Sequence, residues 1–129
     1  MPHSRPPAVY GRDPRQEVAA VDLETYRTDV LRTVRPEMGQ RDRLLLGALG
    51  LAGEAGEVAD SLKKMLFHGH PLDTDAVRDE LGDVMWYVMF LCDTLGLTLD
   101  EILVGNVEKR RRRYPDGFST ERSLNRGTS

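Results

Sequence analysis

The chain has 129 residues, 40% of them hydrophobic and 30% charged, and a formal net charge of −3. That describes one globular domain with a modest core, and the acidic balance argues against wholesale binding to nucleic acid or a membrane surface. The single cysteine, Cys92, excludes an intramolecular disulfide and fits a reducing cytoplasm, and no apolar run approaches the ~20 residues of a membrane span.

Residues 1–20 hold Pro2, Pro6, Pro7, Gly11 and Pro14 and are expected to be an extended, flexible segment. They contain no apolar h-region, so no secretory signal is expected. A helical domain is expected over 21–118, followed by a polar tail over 119–129. The first helix begins at Asp22, a suitable N-cap. It carries Leu23, Tyr26, Val30, Leu31 and Val34 and stops before Pro36.

The second helix is expected over about 43–68. Leu44, Ala48, Leu51, Ala55, Val58, Leu62 and Met65 step by four and three residues, which makes a seam for a partner helix. Gly47, Gly50, Gly53 and Gly56 recur every three residues. Each weakens a helix by up to about 1 kcal/mol relative to alanine, so their presence points to close helix approach or to space for a ligand. Gly69 and Pro71 end the helix.

A third helix, over about 75–95, carries the stripe Val77, Leu81, Val84, Val88, Leu91 and Leu95, and Gly96 closes it. Thr98-Leu99-Asp100-Glu101 is a capping box that opens a fourth helix. That helix runs through Ile102, Leu103 and Val107 into the basic run Lys109-Arg110-Arg111-Arg112-Arg113, and Pro115 and Gly117 end it. Strand alternation, internal repeats and low-complexity tracts are absent. The expected architecture is an all-α four-helix bundle. Its two long seams, with Trp86, Tyr87, Met89 and Phe90, carry more apolar surface than a monomer would hide, so a homodimer or a homotetramer (a dimer of dimers) is expected.

Chemistry concentrates in two carboxylate pairs, Glu54-x-x-Glu57 and Glu80-x-x-Asp83, one on each of the two middle helices. The i, i+3 spacing sets the members of a pair about 60° apart on a helix. Glu54 falls about 60° and Glu57 about 120° from the centre of the second helix's stripe, and Glu80 and Asp83 about 40° and 100° from that of the third. All stand on the shoulder of an apolar face. The short connection between Gly69 and Thr74 favours antiparallel packing, which lets the two shoulders converge. Four converging acids repel one another unless a hard cation sits among them. Di-iron bundles use Glu-x-x-His pairs, which are missing here, so oxygen ligation points to Mg²⁺, with Mn²⁺ as a substitute. Surface acids on charged helices are the alternative, weakened by the matching places of the two pairs.

The run Leu49-Gly50-Leu51-Ala52-Gly53-Glu54-Ala55-Gly56-Glu57, followed by Glu80-Leu81-Gly82-Asp83, resembles the all-α nucleoside triphosphate pyrophosphohydrolases of the MazG type. So does Asn106-x-x-Lys109 with Arg113-Tyr114-Pro115-Asp116-Gly117-Phe118-Ser119, and the likeness spans about residues 22–126. Many relatives carry two adjacent glutamates where this chain has Gly53-Glu54. The resemblance implies Mg²⁺-dependent cleavage of a nucleoside triphosphate to the monophosphate and pyrophosphate, in nucleotide-pool housecleaning. It implies that Glu54, Glu57, Glu80 and Asp83 hold metal, and that Lys109 and a nearby arginine, Arg112 or Arg113, meet phosphate oxygens, with Asn106 on the same helix. Glu54 or Glu57 would accept the proton of the attacking water.

Trp86 can stack on a base or lie in a subunit interface, and His68, beside Gly69 and His70, can contact nucleotide or cap the helix dipole. Two other functions share these features. A phosphoribosyl-ATP pyrophosphatase or a dUTPase/dCTPase-type enzyme would use the same metal frame, and a non-catalytic helical interaction module would pair the acids with the basic run.

Overall fold

The computed structural model describes residue 18 and residues 20–126. The expected extended segment over 1–20 therefore lies almost entirely outside the described residues. Those residues form five helices and no strand: α1 (Leu23–Arg32), α2 (Gln40–Phe67), α3 (Thr74–Thr94), α4 (Leu99–Arg113) and α5 (Thr120–Leu124). The all-α expectation holds, and α5 adds a short turn of helix inside the segment read as a polar tail. No helix among the described residues is long and apolar enough to cross a membrane. The chain divides after Gly96 into two compact units.

In the first unit, local chemistry sets the helix ends. Asp22 caps α1 by accepting the Thr25 N–H at 2.8 Å, and Asp73 caps α3 by accepting the Ala76 N–H at 3.1 Å. Helix α2 starts three residues earlier than its apolar pattern suggests. Gly39 is its N-cap without a side-chain bond. The Gln40 side chain instead donates to the Thr94 carbonyl at 2.9 Å, which ties the start of α2 to the end of α3. At the other end Gly69 takes a left-handed φ of +72°, and the His70 N–H folds back onto the Lys64 carbonyl at 3.2 Å. The chain then turns directly into α3, antiparallel to α2.

Helix α3 is the centre of this unit, with α2 along one side and α1 along another. Val30 and Phe90 are fully buried and Met89 nearly so, each side chain contributing about 1.5–3 kcal/mol by leaving water. Trp86 lies parallel to Phe90, with ring centroids 5.3 Å apart, and its indole N–H donates to the Thr33 hydroxyl at 2.9 Å. Arg27 reaches across from α1 to Asp93 at 2.7 Å. Met89 and Phe90, counted from sequence among the surplus apolar surface, are thus spent inside this unit.

Helix α2 meets α3 through only one edge of its apolar stripe, where Leu51, Val58 and Met65 are half-buried. Gly47 is buried against Leu91 and Gly50 sits against the Tyr87 ring. Val58, Ser61 and Met65 continue that line half-buried, while Leu44, Ala48, Ala55 and Leu62 are exposed. The contact face is rotated by about 50° from the apolar stripe. Two bare glycine backbones let the helices approach where a leucine seam would hold them apart. The rotation leaves an apolar edge open on α2, where Leu45 and Leu66 are also exposed, and Leu81 and Met85 are exposed on α3.

In the second unit, Thr98 and Glu101 form the expected capping box: Thr98 Oγ1 accepts the Glu101 N–H at 3.1 Å and Glu101 accepts the Thr98 N–H at 3.2 Å. Four arginines fill the last turn of α4, where positive charge suits the helix dipole. Beyond it, the Tyr114 and Phe118 rings pack 5.6 Å apart, and Ser119 caps α5 by accepting the Arg122 N–H at 3.3 Å.

Candidate functional site

The rotation of α2 decides where its acids point. Relative to the true contact face, Glu54 lies about 10° from the centre and Glu57 about 70°. Glu54 is accordingly half-buried against α3, and Glu57 is exposed. One turn of α3 supplies Glu80, half-buried, and Asp83, exposed. Carboxylate oxygens of Glu54, Glu80 and Asp83 all lie within 4.8 Å of one another. The structure therefore brings together three of the four acids read from sequence, and Glu57 stands outside the gathering. The charge of Glu57 acts instead on Lys64. Lys64 and Lys63 both pair with Asp60, at 2.8 and 3.2 Å, and these bonds hold the Asp60 carboxyl below its ordinary range.

Three carboxylates this close are unstable as bare anions. The Glu80 carboxyl is pushed up from the ordinary glutamate value, first by its hydrogen bond to Glu54, then by partial desolvation and by the charges of Glu54, Asp83 and Asp79. A proton on Glu80, bonded to Glu54, would do what a cation would do: remove one negative charge and bridge two oxygens. The all-oxygen donor set and the spacing fit a hard divalent cation.

The raised Glu80 carboxyl has a consequence for stability. The native state holds this proton more tightly than the unfolded chain does, so its stabilisation is full below the unfolded glutamate value. It is lost as pH rises through the raised native value. Glu80→Gln, which keeps the bridge without the charge, should match wild type near pH 4 and melt at a higher temperature than wild type near pH 7 in EDTA, a window set by the ordinary glutamate value of about 4.3. Millimolar Mg²⁺ should reverse the order at neutral pH by stabilising wild type alone. Melting curves at the two pH values, with and without the metal, check both halves.

Tyr26 of α1 is a neighbour that pattern reading missed. Burial pushes its phenol up, and the charges of Asp29 and Asp83 push it further. Its place on the apolar stripe of α1 concealed it. An aromatic with a polar head on a core stripe was the available signal. Trp86 is half-buried; Phe90 stacks on its ring and Tyr87 meets it edge-on, with centroids 5.0 Å apart. His68 is the exposed C-cap of α2, its backbone N–H bonded to the Lys64 carbonyl at 3.0 Å.

The remaining sequence candidates lie in the second unit. Asn106, Lys109 and Arg112 are exposed on α4 and Arg113 is half-buried. The Asn106 carbonyl accepts from Arg110 Nε at 3.4 Å. Tyr114 follows α4, and its phenol is held below the usual value by hydrogen bonds with Ser123 and Arg126 and by the charges of Arg126 and Arg113.

Three carboxylates from adjacent antiparallel helices turned toward one point form a group that could hold a metal ion. The MazG nucleotide pyrophosphohydrolase domain matches residues 44–118, more than half of the chain, and the chain belongs to that family of hydrolases. The matched span holds both carboxylate pairs, Asn106 and the basic run. Over 73 residues the chain is 41% identical to "Gene 37 protein" of Mycobacterium phage L5, a stretch covering 54% of this chain and 64% of the relative. The chain thus spans less than two thirds of that relative's length. No solved structure matches it.

Proposed function

We propose that this protein is a Mg²⁺-dependent nucleoside triphosphate pyrophosphohydrolase that converts a ribo- or deoxyribonucleoside triphosphate to its monophosphate and pyrophosphate, in nucleotide-pool housecleaning. The observation that carries the reading is the convergence of Glu54, Glu80 and Asp83 within 4.8 Å, on the stretch that matches the family. A divalent cation held by these acids supplies neutralisation of the phosphates and activation of water. Glu57, read from sequence as ligand or base, stands apart from the gathering yet on the same helix, which favours the role of base. In this reading the oxygen of water bonds to the α-phosphorus and Glu57 takes the proton. The bond from that phosphorus to the bridging oxygen breaks, and the electron pair leaves with pyrophosphate. Lys109, Arg112 and Arg113 would stabilise charge on phosphate oxygens, and Asn106, Trp86 and His68 complete the proposed substrate contacts.

Hydrolysis in heavy-oxygen water tests the bond that breaks. The label should appear in the nucleoside monophosphate, and a panel of nucleotides with and without Mg²⁺ should show metal-dependent pyrophosphate release. Orthophosphate and a nucleoside diphosphate as products would overturn the reading. The exposed apolar edges of α2 and α3 support a homodimer or homotetramer. Sedimentation at micromolar concentration should find no monomer.

A further inference from the structure

In the second unit, the last turn of α4 and the segment from Ser119 to Arg126 face each other across a hollow of about 370 Å³. Arg112 and Arg113 line the α4 side, and Ser119, Arg122 and Arg126 line the other. The second wall has little apolar packing to hold it in place. Helix α5 has five residues, too few to persist in isolation. Its only leucine, Leu124, is 80% exposed, and Phe118, just before the segment, is 76% exposed. Four arginines facing one hollow also repel, which works to push the walls apart.

One side chain spans the gap. Tyr114 is the C-cap of α4, its backbone N–H bonded to the Arg110 carbonyl at 2.8 Å. Its hydroxyl accepts a hydrogen bond from Arg126 at 3.1 Å and is also hydrogen-bonded to the Ser123 side chain. Its ring packs near Phe118, with centroids 5.6 Å apart. Tyr114 thus holds the returning segment at its beginning, middle and end. Arg113, the residue before it, is half-buried, while Arg110, Arg111 and Arg112 are exposed. The bonds to Ser123 and Arg126 hold the Tyr114 phenol below its usual value, and the charge of Arg113 reaches it too.

We propose that Tyr114 is a positioning residue, whose hydroxyl fastens the segment from Ser119 to Arg126 onto α4 and so fixes Arg113 for its contact with the substrate's phosphate oxygens. The inference rests on the hydrolase reading above, which places Arg113 at the phosphates, and adds the group that orders it. Tyr114 itself meets no substrate. A free arginine at a helix end samples many rotamers and gives them up on binding, whereas an arginine beside a fixed wall has given them up already. The partners of the fastening, Ser123 and Arg126, lie beyond the family match, which ends at residue 118.

Tyr114→Phe keeps the ring beside Phe118 and removes only the hydroxyl. In the full chain with saturating Mg²⁺ it should raise KM for a nucleoside triphosphate about tenfold and leave kcat within about twofold of wild type. Arg126→Ala should raise KM by a similar factor, and the double variant by no more, because both break one fastening. Additive effects would make Arg126 a phosphate contact in its own right and overturn the proposal. Nuclear relaxation of the Arg113 side-chain Nε–H, measured without substrate, reads the fastening independently of turnover. It should report an ordered group in wild type and a mobile one in Tyr114→Phe. Unchanged KM with a lowered melting temperature, or an Arg113 signal equally ordered in both proteins, would overturn the proposal. A wild type that releases no pyrophosphate would overturn the hydrolase reading and with it the phosphate contact, while the relaxation comparison would still decide the fastening.

Discussion

Asp83→Asn and Glu54→Gln should each lower pyrophosphate release on the order of 10²-fold or more and abolish the rise in melting temperature that Mg²⁺ gives the wild type. Both residues belong to the gathered carboxylates, so on the proposed reading each substitution removes a charge the cation would meet, along with the repulsion that it would relieve. A ligand at one hundred times its dissociation constant stabilises a native state by about 2.7 kcal/mol, a shift that thermal melts resolve easily. Glu57→Gln should behave differently. Standing outside the gathering, it should lose activity on the order of 10²-fold while keeping the metal-dependent rise. A Glu57→Gln protein that no longer responds to Mg²⁺ would make Glu57 a ligand, and the assignment of the base would fail.

The second large effect concerns stability. Gly50→Ala should destabilise the fold by about 1–3 kcal/mol, because the added methyl would overlap the stiff Tyr87 ring, which must shift to admit it. Gly47→Ala meets the Leu91 side chain, which can change rotamer, and should cost less. Gly53→Ala meets nothing within 4 Å and should instead stabilise by about 0.5–1 kcal/mol through helix propensity. Denaturant unfolding of the three variants checks the order. Equal effects at positions 50 and 53 would mean that the glycines act through propensity alone and that the helices are not in close contact.

Helix starts and stops were readable because they are local. Asp22, Thr98 with Glu101, and Gly69 each act on neighbours within a few residues, and their chemistry is written in adjacent letters. The carboxylate pairs were readable for the same reason, since an i, i+3 spacing already aligns two side chains. The azimuth of α2 was not. An apolar stripe is drawn by leucines and alanines, whereas glycine adds almost nothing to it. The face that meets α3 is set by where backbone can approach Tyr87 and Leu91. That same rotation separated Glu54 from Glu57. Tyr26 and the hollow formed with Arg122 and Arg126 depend on groups brought together by the fold, and the polar letters of residues 119–126 carried no apolar pattern to announce α5.

Cys92 is the chain's only cysteine and is 3% exposed. Thiol reagents applied to the folded protein therefore find no native target on its surface, and no background substitution is needed before labelling. A cysteine at position 56, where a Cβ would meet nothing within 4 Å, could carry a single nitroxide two residues from Glu54 and next to Glu57. Paramagnetic Mn²⁺ would broaden that spectrum only if it settles nearby, so the cation could be located by resonance in solution before any turnover is measured.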